Sequence, residues 1–81
     1  MSRVVRGRLR NRVRELRFFA GEMTQAELAE KVGVTRQTIA AIEKNRYAPS
    51  LETAFLIAEA FGKPIGEVFQ YAPAEEGERR Q

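Results

Sequence analysis

TQAELAEKVGVTRQTIAAIEKN, running from Thr24 to Asn45, contains two short amphipathic segments separated by one glycine. In the first, Thr24 is an N-cap and Glu27 stands three residues on, the spacing of a capping box that satisfies two orphan amide donors. Leu28, Ala29 and Val32 recur at helical spacing and form its inner stripe. Gly33 ends the segment, because glycine takes the left-handed conformation that a helix C-terminus often needs. Thr35 caps the second segment, whose inner positions Ile39 and Ile42 are joined by Val34 just ahead of the cap. The pattern is helix, glycine turn, helix, and so tight a connection holds one helix against something outside the pair.

The flanks extend this pattern. Residues 1–8 read as a flexible basic arm, too short and too charged to build structure alone. From Leu9, apolar Leu9, Val13, Leu16 and Ala20 recur at helical spacing, with Gly21 as a stop. RLRNRVR also alternates as a strand would; the longer persistence of the three-to-four spacing favours a helix. Asn45 to Pro49 reads as a loop, since asparagine tolerates the left-handed conformation and proline cannot continue a helix. Ser50 caps a fourth helix, Leu51 to Phe61, with Phe55, Ala58 and Phe61 as buried candidates, and Gly62 closes it. Pro64 opens a short fifth helix, PIGEVFQY, bringing Ile65, Val68 and Phe69 together. Residues 72–81 are polar and read as a disordered tail. The expectation is one domain, residues 9–71, of all-α class.

Composition narrows the chemistry. The 81 residues include no cysteine and no histidine, which removes thiol nucleophiles, imidazole bases, disulfides and the commoner metal ligands. Aspartate is also missing, so no catalytic residue, metal site or cofactor site is expected, and the chain is not expected to be an enzyme. No apolar run approaches the roughly 20 residues needed to span a bilayer, which points to a cytoplasmic protein with no membrane partner. The net charge of +3 is unevenly spread. Eleven basic residues face five glutamates through Ser50, whereas three face six from Leu51 onward. Seven arginines between Arg3 and Arg17 suit a polyanion, because guanidinium groups cradle phosphate with planar, multidentate geometry.

TQAELAEKVGVTRQTIAAIE resembles the helix-turn-helix of phage-repressor-like regulators, the Xre family. NRVRELR before it and PSLETAFLIAEAFGKPIGEVF after it fit the same family, so the resemblance covers about Asn11 to Tyr71. Ala29 stands where that motif takes a small residue, and Gly33 stands at its turn. FFAGEMTQ is one residue longer than the family's usual connection, which leaves the placement of Gly21 and Glu22 open. The resemblance implies a compact five-helix domain whose third helix enters the DNA major groove.

The early residues of a recognition helix reach base edges. Here they are Thr35, Arg36, Gln37 and Thr38, with Ala41 one turn on. Arg36 can donate twice to guanine O6 and N7, and Gln37 can pair bidentately with adenine N6 and N7. By the same resemblance, Gln25 binds phosphate and supports the base-reading side chain. Lys44, Asn45 and Arg46 form a loop that contacts the DNA backbone; Tyr47 either reaches a phosphate or stacks on Pro49. The family also pairs an arginine of the first helix, here Arg17, with a late glutamate of the third, here Glu43. Arg17 can still offer a nitrogen to phosphate.

One recognition helix reads few base pairs, so a homodimer on double-stranded DNA with an inverted-repeat operator is expected. Ile65, Val68, Phe69 and Tyr71 are the candidate interface, whether EVFQY is helical or pairs as a strand with its symmetry mate. Ile65 and Val68 fit the protomer's own core equally well. The leading function is a sequence-specific transcriptional regulator, more specifically a repressor. The alternative is a protein-interaction adaptor or antitoxin-like protein that uses the same fold on a protein partner.

Overall fold

The structure, a computed structural model, describes residues 8–72. In chain order the elements are β1 (Arg8–Asn11), α1 (Val13–Phe19), α2 (Gln25–Val32), α3 (Arg36–Glu43), α4 (Leu51–Phe61), α5 (Ile65–Val68) and β2 (Phe69–Ala72). Of the expected arm and tail, only Arg8 and Ala72 fall within the described residues; the rest lie outside them.

The helix pair forms as its local chemistry dictates. Thr24 Oγ1 accepts from the Glu27 amide at 3.0 Å, and the Glu27 carboxylate accepts from the Thr24 amide at 2.8 Å, closing the capping box. Gly33 takes φ +89°, and the amides of Gly33 and Val34 both donate to the Ala29 carbonyl, which ends α2 without an unsatisfied acceptor there. Thr35 Oγ1 then caps α3 through the Thr38 amide at 3.1 Å. The connection before α2 carries two consecutive left-handed residues, Gly21 and Glu22.

Five helices enclose one core. Val13 and Leu16 of α1, Leu28, Ala29 and Val32 of α2, Ile39 and Ile42 of α3, Ile57 and Ala58 of α4, and Val68 of α5 form a single buried cluster. Each fully enclosed Leu, Ile or Val contributes about 1.5–3 kcal/mol of hydrophobic stabilisation. Ala29 has no bulk beyond its methyl group, so α3 packs closely across α2.

Three expectations need correction. The chain from Arg8 to Asn11 is a strand, not the first turns of a helix, and it pairs antiparallel with β2 in the register Arg8 to Ala72, Leu9 to Tyr71, Arg10 to Gln70 and Asn11 to Phe69. Asn11 Oδ1 accepts from the Val13 amide at 3.0 Å, a local bond that competes with helix and starts α1 only at Val13. The fifth helix is a single turn, because Phe69 turns extended to join the sheet. Of EVFQY, only the residues from Phe69 onward are strand, and their partner is β1 of the same chain. In α4 the inward residues are Ala54, Ile57 and Ala58, while Phe55 is 52% exposed and Phe61 is only partly buried. Phe18 and Phe19 both face solvent, edge to face at 5.6 Å, so neither completes the core.

Replacing the cap should show how much the pair depends on it. Thr24→Ala is expected to lower stability by about 1 kcal/mol in urea unfolding, whereas Thr24→Ser, which keeps the acceptor, should stay close to the parent. Equal losses for the two would contradict the cap's role.

Candidate nucleic-acid interface

The glutamate at the end of α3 draws three helices together. Arg17 of α1 donates through Nε to Glu43 Oε2 at 2.6 Å and through Nη2 to Glu43 Oε1 at 3.1 Å, a bidentate fork. Its Nη1 donates to the Met23 carbonyl at 2.7 Å, so the same guanidinium also fixes the entry to α2. The side chains are 15% and 6% exposed, which puts the pair in an environment where water screens it weakly.

From this pair a chain of bonds leads outward. Gln25, the first residue of α2, donates through Nε2 to Glu43 Oε1 at 3.1 Å. Arg36, the first residue of α3, places Nη1 3.5 Å from Gln25 Oε1, longer than the roughly 2.7–3.2 Å of an ordinary N–H···O bond, so the contact is a weak one. Donor chemistry fixes the amide's orientation. A carboxylate only accepts and a guanidinium only donates, so the Gln25 nitrogen must face Glu43 and its oxygen must face Arg36.

The polar start of α3 points to solvent. Thr35, Arg36 and Gln37 are exposed, and Thr38 and Ala41 are half-buried. The hydroxyls of Thr35 and Thr38 lie 3.0 Å apart and hydrogen-bond each other, while Thr35 also caps the helix. Arg36 and Gln37 thus carry most of the uncommitted donor and acceptor capacity on this face. Beyond α3, Lys44, Asn45, Arg46 and Tyr47 are all exposed, and Asn45 is held at φ +59°. Gln25 and Arg17 sit half-buried at the base of the same network.

Asn11 was not singled out from the sequence, yet it anchors the far end of α3. Its Nδ2 donates to the Ile42 carbonyl at 2.9 Å, satisfying an acceptor in the helix's last turn, and to Asn45 Oδ1 at 3.1 Å. An asparagine two residues before a helix start was the available signal. At the start of α1, the hydrogen bond and charge of Arg12 hold the exposed Glu15 carboxyl below its usual range and raise the guanidinium's own value.

The expected interface residues divide. Val68 is fully enclosed in the protomer's own core, so it has no surface to offer a second chain. Ile65 and Phe69 pack partly buried against that core, and Tyr71 is 62% exposed. Leu51 and Phe55, four residues apart on α4, are 70% and 52% exposed.

The Arg17 to Glu43 pair should behave as a buried one. Glu43→Ala is expected to cost about 3 kcal/mol in urea unfolding, because it strands a charge, while Arg17→Met with Glu43→Leu should recover most of that loss. A single-variant cost under about 1 kcal/mol would place the pair with exposed surface bridges instead.

Residues 13–68 match the profile of the helix-turn-helix family. The chain is 58% identical over 62 residues to an uncharacterised helix-turn-helix transcriptional regulator of Methanothermobacter thermautotrophicus, spanning 75% of this chain and 88% of that protein. It is 40% identical over 47 residues to the immunity repressor protein of Bacillus phage phi105, spanning 58% of this chain and 33% of that one. The crystal structure of the transcriptional regulator VanUg is similar with a TM-score of 0.65 at 26% identity, spanning 85% of this chain and 91% of that chain. With the family profile covering most of its described residues, the chain belongs to the helix-turn-helix family.

Proposed function

We propose that this protein is a sequence-specific DNA-binding transcriptional regulator that lays α3 in the major groove of double-stranded DNA and acts as a repressor. One observation carries the assignment. Arg36 and Gln37 project from the exposed start of α3, whose far end is fixed to α1 and α2 through Glu43, Arg17 and Gln25. Likeness to a phage immunity repressor supports the repressor assignment.

Within this function, Arg36 and Gln37 read base edges, Thr35 and Thr38 shape the approach, and Ala41 meets a thymine methyl group. Lys44, Asn45, Arg46 and Tyr47 hold phosphates after the helix. Gln25 and the remaining donors of Arg17 hold phosphates before it. The protein works as a homodimer on an inverted repeat. Its two-fold contact is supported by exposed Leu51 and Phe55 of α4 and Tyr71 of β2, with Ile65 and Phe69 behind them. Catalysis has no part in this function, and the protein acts in the cytoplasm beside its DNA. The exposed Phe18 and Phe19 pair is the one observation favouring the adaptor or antitoxin-like alternative, in which that aromatic surface docks a protein.

Selection of bound duplexes from a random library at near-physiological salt tests this directly. The parent should enrich an inverted repeat with half-sites about one helical turn apart. Arg36→Ala should lose about 1–3 kcal/mol on that site and relax one base position. Failure to enrich any sequence would contradict the regulator function and favour the adaptor. Uniform weakening by Arg36→Ala would make that residue a phosphate contact.

For the dimer, sedimentation at micromolar concentration should show two chains for the parent and one for Leu51→Ser with Phe55→Ser. A parent that stays monomeric both alone and on its operator would exclude the homodimer.

A further inference from the structure

The strand β1 leaves two arginines that neither the core nor the recognition helix uses. Arg8 and Arg10 are exposed, and neither has an ion-pair partner among the described residues, whereas Arg12 and Arg17 each hold a glutamate. They are not on a loose arm. Each is paired across the sheet, Arg8 with Ala72 and Arg10 with Gln70. Asn11 at the strand's end is bonded to the Ile42 carbonyl of α3 and to Asn45, so the strand is tied to the C-terminal end of the recognition helix.

Between the strand and the loop after α3 lies an open cleft of about 360 Å³, lined by Arg8, Leu9, Arg10, Asn45, Tyr47 and Ala48. No carboxylate lines it among the described residues. Strand alternation puts Arg8 and Arg10 on one face, about 6.8 Å apart along the chain. That separation is of the order of the spacing between successive phosphates on one DNA strand. Tyr47 gives the cleft an aromatic surface beside the two arginines.

We infer that Arg8 and Arg10 form a second, strand-borne phosphate clamp, which grips two successive phosphates of the DNA backbone alongside the segment that α3 reads. This rests on the DNA-binding function proposed above and adds to it a set of contacts that fix position and affinity without reading bases. The sheet gives the clamp its geometry, and Asn11 sets its distance from α3. Because the clamp grips the backbone and reads no base, it contributes to affinity on any sequence.

Titration of the parent's selected duplex between about 50 and 200 mM salt, followed by fluorescence anisotropy, tests the clamp. Arg8→Gln and Arg10→Gln should each reduce the slope of log K against log salt by about 0.9, and weaken binding about tenfold, without changing the preferred site. Arg10→Lys should keep the slope. Lys63→Gln, which removes a charge beside Phe61 and Glu67, should also leave it unchanged. Slopes unaltered by both arginine variants would overturn the clamp while leaving the DNA-binding function intact, as would an equal change from Lys63→Gln. A parent that binds no duplex would overturn the function and the clamp together.

Discussion

Glu43 is the acceptor on which the arrangement turns. Its two oxygens receive Arg17 from α1 and Gln25 from α2 while its own backbone ends α3, so one carboxylate joins three helices. The apolar core can hold these helices together, but it is non-directional and sets their relative angle only through packing. A bidentate fork has a required geometry. It fixes the rotation of α3 about its own axis, and hence which side chains face outward.

The consequence reaches the start of α3 through donor and acceptor logic. Glu43 compels the Gln25 amide to point its oxygen at Arg36, and Arg36 answers with a donor. The residues that hold the helices together thereby also reach the exposed start of α3. A second anchor works at the same C-terminal end, where Asn11 donates to the Ile42 carbonyl and to Asn45. The C-terminal end of α3 is thereby held by two elements, α1 through Arg17 and β1 through Asn11.

Much of this was legible in the sequence because the signals were local. The capping box at Thr24 and Glu27, the left-handed turn at Gly33, and the caps at Thr35 and Ser50 each depend on residues within four positions. The illegible parts depend on distant partners. Whether RLRN is helix or strand turns on β2, about sixty residues away, since the alternation fits one and the apolar spacing fits the other. Phe55 sits on the outer side of α4 because the core is filled by Ala54, Ile57 and Ala58, and helical spacing alone does not say which stripe faces in. In the candidate site, Arg17 with Glu43 was expected from family likeness alone; Asn11 had no such guide.

A crystal structure of the protein on its selected duplex would test the central claim most directly, that a carboxylate-centred network aims α3 at base edges. In that complex α3 is expected in the major groove, with the Arg36 guanidinium on a guanine edge and Gln25 still bridging to a Glu43 that remains forked by Arg17. An α3 turned away from the groove, or Arg36 reaching a base with the Gln25 and Glu43 contacts broken, would contradict it.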